Sequence, residues 1–169
     1  MSIEEEKKLR TIIRNYILFF IIVIVISGIS VFPIETELAY VHAHIQLFPA
    51  FLRGWLNQVY FAVKATNEQF PFLGYGTDWL AFAHLVIAMI FIGPLKDPVK
   101  NLWVIQWSMI SCICVFPLVF IAGSIRGIPF YWQLIDCSLG ALGFILLFLC
   151  YKKIVKLKSV KEKVEGNGK

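Results

Sequence analysis

Residues 102–122 read LWVIQWSMISCICVFPLVFIA, and these 21 residues contain no charged side chain. A helix needs about 20 mainly apolar residues to cross the hydrocarbon core of a bilayer, so this stretch predicts a transmembrane helix. Three more stretches have the same character, at residues 16–32, 78–94 and 129–151. The sequence therefore predicts an all-α, polytopic membrane protein that folds as a four-transmembrane-helix bundle.

The composition of the 169-residue chain agrees with this assignment. Apolar and aromatic residues make up 59% of it and charged residues 16%, whereas a soluble domain averages about 45–50% and about 25%. These proportions exclude a soluble enzyme, a disordered chain and a coiled coil. The lipid bilayer is the expected partner of the surface, and no nucleic acid is expected to bind. A single membrane domain is predicted to cover residues 1–158.

The basic residues are distributed unevenly along the chain. Thirteen of the 16 Lys and Arg residues lie before the first stretch, in the 96–101 turn or after the fourth stretch. Because cytoplasmic segments carry the excess of basic residues, a multi-pass protein of a cell membrane is predicted, with both termini in the cytoplasm. The Ile- and Lys-rich composition favours a bacterial inner membrane. Residues 159–169 are predicted to be a flexible cytoplasmic tail.

The long loop between the first two stretches is predicted to be helical over much of residues 36–64, on the outer side. Its second half places six apolar residues at the 3- and 4-residue intervals of one helix face. These are Leu52, Trp55, Leu56, Val59, Tyr60 and Val63. Such a stripe is typical of an amphipathic helix. One or two amphipathic interfacial helices are therefore predicted in this loop.

Two ionisable residues lie inside the predicted spans, His84 and Asp136. An ionisable group in hydrocarbon costs at least about 2.5 kcal/mol, so such residues are functional candidates by default. Each lies about 9 to 10 Å below the outer end of its helix at the normal helical rise. Each also lies on a stripe of small or polar residues, which marks helix–helix contacts in membranes. We expect them to line one outward-facing pocket, as an acid/base pair or as a structural hydrogen bond.

Other polar residues on the outer side could complete this pocket. The candidate ligand-binding residues are Ser27 and Ser30 in the first span, Gln133 near the start of the fourth span, and Arg126 in the turn before it. His42, His44, Glu35 and Glu37 come from the loop. With His84 and Asp136 they form a candidate metal set, since histidine and carboxylate bind transition metals and paired histidines can hold a haem. The His42-x-His44 pair would chelate from a strand, but in a helix the two rings diverge.

Three functions remain open on this sequence. The first is a binding protein whose outward pocket holds a transition metal, a haem or a small lipid-like molecule. The second is a structural or accessory subunit that associates with another membrane protein or with further copies of itself. The third is a membrane enzyme that uses His84 as acid or base, oriented by Asp136. The sequence leaves open whether the protein is an enzyme.

Overall fold

The structure is a computed structural model that describes the backbone of residues 3–166 and the side chains of residues 4–160. This part of the chain is helical, with turns between the helices and no strand. The α-helices are α1 (Ile3–Val31), α2 (Ile34–Ala43), α3 (Ala50–Gln69), α4 (Gly74–Ile90), α5 (Ile92–Lys96), α6 (Leu102–Ile125) and α7 (Phe130–Gly166). Short 3-10 helices at Ile45–Leu47 and Pro71–Leu73 precede α3 and α4. The all-α fold class is confirmed.

Four helical segments in the described residues are long and apolar enough to cross a membrane. They are Glu4–Val31, Pro71–Lys96, Leu102–Ile125 and Phe130–Val160, with mean hydropathy between 1.8 and 2.4. Each contains most of one predicted span. By length and composition, these four apolar helices agree with a multi-pass membrane protein.

The first and last helices extend well beyond the apolar stretches that predicted them. α1 begins at Ile3 because the charged residues before the span are good helix formers, and Arg10 pairs with Glu6 one turn away at 2.8 Å. α7 continues beyond residue 151 as helix to Gly166. Within this extension, Ile154 and Leu157 are fully buried. Part of the predicted flexible tail, 159–169, lies outside the described residues, so its flexibility stays a prediction.

Prolines explain two helix ends that differ from the expected ones. α2 ends at Ala43 and the 3-10 helix after it ends at Leu47, because Phe48 precedes Pro49 and takes an extended conformation with ψ of 150°. Pro49 then forms the N-cap of α3. In the second span the helix is interrupted at Phe91, since Pro94 has no N–H to donate to the carbonyl of Ile90.

The chain divides into two compact units. One, the terminal unit, comprises Met1–Ile22 and Ile90–Lys169, and the other, the loop unit, comprises Val23–Met89. In the terminal unit α6 and α7 pack closely at small residues. A Cβ on Gly140 would lie 3.2 Å from the carbonyl oxygen of Cys112 and 3.3 Å from Val115. Glycine therefore lets these two helices approach more closely than a larger residue would.

The loop unit contains α2, α3 and α4 together with the end of α1. α2 and α3 form a helical hairpin, which we call the loop hairpin (34–69). α4 packs on α1 where Gly28 faces Ala81 and His84. Ala81 and Ala88 are the buried residues of α4. The small-residue stripe of this helix therefore faces protein, as its spacing suggests.

Candidate functional site

The loop unit contains a cavity of about 610 Å³ at the base of the loop hairpin. It is open to the surface, and three parts of the chain line it: the end of α1 with the start of α2, the second half of α3, and the segment that leads into α4. The lining residues are Phe32, Pro33, Ile34, Glu35, Thr36, Ala62, Val63, Thr66, Asn67, Pro71, Leu73, Gly74, Tyr75, Thr77 and Asp78. Its size is within the range of about 300–1,000 Å³ that is usual for small-molecule sites.

Polar side chains from all three parts converge on this cavity. Asn67 of α3 donates a hydrogen bond from Nδ2 to Oε2 of Glu35 on α2, at 2.7 Å. Thr77 of α4 donates from Oγ1 to the carbonyl oxygen of Gly74, at 2.6 Å. Glu35 and Asp78 are the two carboxylates among the lining residues, which include no Lys, Arg or His in the described part of the chain. The cavity is therefore acidic, with amide and hydroxyl groups beside the carboxylates.

The loop hairpin is held in register by two links between α2 and α3. One is the bond between Glu35 and Asn67, at the open end near the spans. The other joins His42 to Asn57, with Nδ1 and Oδ1 2.8 Å apart, towards the connecting turn. The later residue on α2, His42, pairs with the earlier residue on α3, Asn57, which is the arrangement of an antiparallel helix pair. These links fix the position of Glu35 at the cavity.

His42 is packed within the loop hairpin and is not a lining residue of the cavity. Its ring stacks on Tyr60 with centroids 4.6 Å apart and meets the edge of Phe61 at 5.2 Å. Because Oδ1 of Asn57 can only accept, Nδ1 of His42 carries the proton of their bond. Nε2 is left as the acceptor in the neutral ring. This environment of one amide and two aromatic rings supports packing as the role of His42.

His44 and Glu37 lie on the exposed side of the loop hairpin. His44 follows the last residue of α2, and its Nδ1 bonds the carbonyl oxygen of Tyr40 at 2.9 Å. The rings of His44 and Tyr40 are also in contact, with centroids 4.4 Å apart. Neither His44 nor Glu37 lines the cavity. Of the six predicted metal ligands, only Glu35 is a lining residue.

His84 lies at the crossing of α1 and α4. An added Cβ on Gly28 would come within 2.8 Å of the Cβ of His84, so the two helices are as close here as glycine allows. Nδ1 of His84 donates to the carbonyl oxygen of Leu80 at 2.7 Å. Next to Gly28, Ser27 accepts through its carbonyl oxygen a 3.1 Å bond from the hydroxyl of Ser30. The hydroxyl of Ser30 is therefore bonded within its own helix, and Nε2 of His84 has no hydrogen bond from the described residues.

The remaining predicted residues belong to the terminal unit. Gln133 is 3% exposed and donates from Nε2 to the carbonyl oxygen of Ile128 at 2.8 Å, while its Oε1 has no partner among the described residues. Gln133 also packs against Gly123, where a Cβ would come within 3.0 Å of it. Arg126 follows the last residue of α6. Asp136 is half-buried on α7.

No group of three or more His, Cys, Asp or Glu side chains that could hold a metal ion is present among the described residues. Zinc and similar ions need three or four such ligands from the protein. None of the three histidines lines the cavity. The donors that do line it are oxygen atoms of carboxylate, amide and hydroxyl groups. They suit a hydrogen-bonding organic ligand better than a haem or a transition metal.

Thr66 and Asn67 are among the polar lining residues that were not recognised in the sequence as members of a site. Thr66 and Asn67 follow Val63 at three and four residues, so they continue the apolar stripe of α3 with polar side chains. A polar residue on an otherwise apolar face is a signal of a buried polar site. Asp78 is the first residue of the predicted second span, whereas α4 already begins at Gly74.

No protein-family model, no curated protein and no solved structure matches this chain. Its function therefore has to be inferred from the cavity and the residues around it.

Proposed function

We propose that this protein is a membrane-embedded binding protein that holds a small organic molecule in the acidic cavity at the base of the loop hairpin. The cavity itself carries the proposal. Its volume of about 610 Å³ suits a small molecule, and polar groups from α2, α3 and α4 converge on it. Apolar residues such as Val63 and Leu73 provide the remaining wall.

In the proposed arrangement the four apolar helices form one bundle in a cell membrane, with both termini in the cytoplasm. The loop hairpin then lies at the outer membrane interface, and the cavity opens outwards. The exposed apolar side chains of the hairpin support this position, since they would otherwise face water. They are Tyr40, Leu47, Phe51 and Phe61. Aromatic and aliphatic side chains of an amphipathic helix are favoured at this depth of a bilayer.

The lipid-like class of ligand fits this cavity better than a metal or a haem does. Among the described residues, Glu35 and Asp78 do not belong to a group of three or more His, Cys, Asp or Glu side chains that could hold a metal ion. A cavity beside the membrane interface is accessible to molecules that partition into lipid. The other two interpretations, catalysis by His84 and Asp136 and an accessory subunit, stay predictions.

The proposal is tested by filling the cavity and asking whether a bound molecule is lost. Ala62 lines the cavity, whereas Ala65, one turn along the same helix, is exposed and does not line it. Native mass spectrometry of the detergent-purified protein should show a co-purifying small molecule in the wild type. The Ala62→Trp variant should lose this adduct and the Ala65→Trp variant should keep it.

Two outcomes of this experiment would contradict the proposal. One is a wild-type protein that carries no small molecule and takes up none from a lipid extract. The other is an adduct that survives Ala62→Trp. Thermal unfolding of both tryptophan variants is the control for folding, because a substitution at either exposed position should leave the unfolding temperature close to that of the wild type.

A further inference from the structure

We propose that the ligand of the cavity is an organic cation, a molecule that carries an ammonium group on an apolar or aromatic body. This inference rests on the proposed function and specifies its ligand class. It is drawn from the charges of the loop unit, the free carboxylate oxygens, and the aromatic and apolar walls of the cavity.

The loop unit has an excess of negative charge that its own cations do not neutralise at the cavity. Residues 23–89 contain four carboxylates and two cationic side chains, Arg53 and Lys64. Arg53 is committed to the connecting turn, where it donates to the carbonyl oxygens of Phe48 and Gln46 and to Oε1 of Gln46. Lys64 lies 3.9 Å from Glu68. Glu35 and Asp78 are therefore left without a cationic partner from the loop unit.

The carboxylates keep oxygen atoms that can accept hydrogen bonds from a ligand. Oε2 of Glu35 accepts from Asn67, while its Oε1 accepts no hydrogen bond from the described residues. Neither oxygen of Asp78 has a hydrogen bond or an ion pair within the same part of the chain. An ammonium group has three donors and no acceptor, so it matches a site that offers free anionic acceptors. Hydrogen bonds between ionised partners are about twice as strong as neutral ones.

The walls of the cavity indicate the rest of the ligand. Phe32 and Tyr75 are exposed aromatic side chains at its edge, and a cation over an aromatic face gains about 0.5–2 kcal/mol. Ile34, Val63 and Leu73 add aliphatic surface. A bare metal ion would use the carboxylates but not the aromatic and aliphatic wall. An amphiphilic amine uses both the carboxylates and the apolar wall.

Three probes of nearly equal size and different charge test this inference: 2-phenylethylamine, 2-phenylethanol and 3-phenylpropionate. Their affinities for the detergent-purified protein can be measured by isothermal titration calorimetry. We expect the amine to bind at least about tenfold more tightly than the alcohol, a difference of about 1.4 kcal/mol, and the carboxylate probe to bind most weakly.

The variants Glu35→Gln and Asp78→Asn should each reduce the advantage of the amine by about tenfold. Gln at position 35 retains an oxygen that accepts from Asn67, so this variant should keep the fold. Glu37→Gln is the matched control, because it removes the same charge two residues away from an exposed position that does not line the cavity. It should leave all three affinities unchanged.

Equal binding of the three probes, abolished by Ala62→Trp, would overturn the inference and leave the proposed function standing. Calorimetric heat from CaCl₂ alone that is lost in Glu35→Gln would overturn it in favour of a metal ion. If no probe binds and no molecule co-purifies with the wild type, the proposed function fails as well. An amine preference that persists in both carboxylate variants would also contradict the inference.

Discussion

Gly28 is the residue that allows α1 and α4 to cross at van der Waals distance. A Cβ at this position would lie 2.8 Å from the Cβ of His84 and 3.1 Å from the carbonyl oxygen of Ala81. Both neighbours are rigid parts of α4, so Gly28→Ala must push the two helices apart. We expect it to destabilise the protein by about 1–3 kcal/mol, the usual cost of overpacking. Thermal unfolding in detergent micelles measures this change.

Gly54→Ala is the matched control for this prediction. Gly54 lies in the second turn of α3 with nothing within 4 Å of an added Cβ. Alanine is favoured over glycine in a helix, so this variant should be more stable by about 0.5–1 kcal/mol. Equal effects of the two substitutions on stability would show that α1 and α4 lie farther apart at Gly28 than they do in the structure.

At the level of single residues, spacing identified which positions face protein but not what they contact. The stripe of His84 with Ala81 was recognisable from helical periodicity, and Ala81 is fully buried. The bond between Glu35 and Asn67 joins residues 32 positions apart, and no periodicity relates them. The pairing of Glu35 with Asn67, and with it the acidic cavity, was therefore not predictable from the sequence. The sequence contained only a weaker signal, the polar residues Thr66 and Asn67 on the apolar stripe of α3.

At the level of elements, the loop hairpin depends on two specific contacts between α2 and α3. We expect the bond between Glu35 and Asn67 to contribute about 1 kcal/mol, since it joins a charged acceptor to a neutral donor at a half-exposed site. A double-mutant cycle of Glu35→Ala and Asn67→Ala should therefore show a coupling energy of this size. The measurement is thermal unfolding of the two single variants and the double variant.

A second cycle, Glu35→Ala with Asn57→Ala, is the control, because Asn57 contacts His42 at the other end of the loop hairpin. Its two substitutions should be additive within about 0.5 kcal/mol. Additivity in the first cycle would mean that the two helices are held by apolar packing alone. Coupling of similar size in both cycles would mean that the hairpin unfolds as a unit without local contributions.

The positions of the helix ends were less predictable than the existence of the helices, because charged flanking segments and local capping contacts determine them. Apolar runs identified the four long helices, whereas the charged segments that extend α1 and α7 carry no hydropathy signal. The start of α4 at Gly74 illustrates this. A 3-10 turn from Pro71 leads into the helix, and Thr77 bonds back to Gly74 from inside it. Threonine and aspartate are residue types favoured at an N-cap, yet Thr77 and Asp78 both lie inside α4.

At the level of the whole molecule, the proposed cavity is functional only on the side of the membrane where its ligand occurs. α7 has 37 residues, or about 55 Å at the normal helical rise, so it is longer than the hydrocarbon core of about 30 Å. In the proposed arrangement its basic end therefore projects beyond the bilayer. Since four spans return the chain to its starting side, the loop hairpin and this end should lie on opposite sides.

Cysteine labelling tests this topology in intact cells. In a variant without the four native cysteines, Gln58→Cys places a thiol at an exposed position of α3, and Ser159→Cys places one at an exposed position of α7. Because the basic residues flank the termini, we expect a membrane-impermeant maleimide to label position 58 in intact cells and position 159 only after permeabilisation. The reverse pattern would place the cavity in the cytoplasm, where its ligand would have to be a cytoplasmic amine. Labelling of both positions in intact cells would place them on the same side of the membrane and contradict the three spans between them.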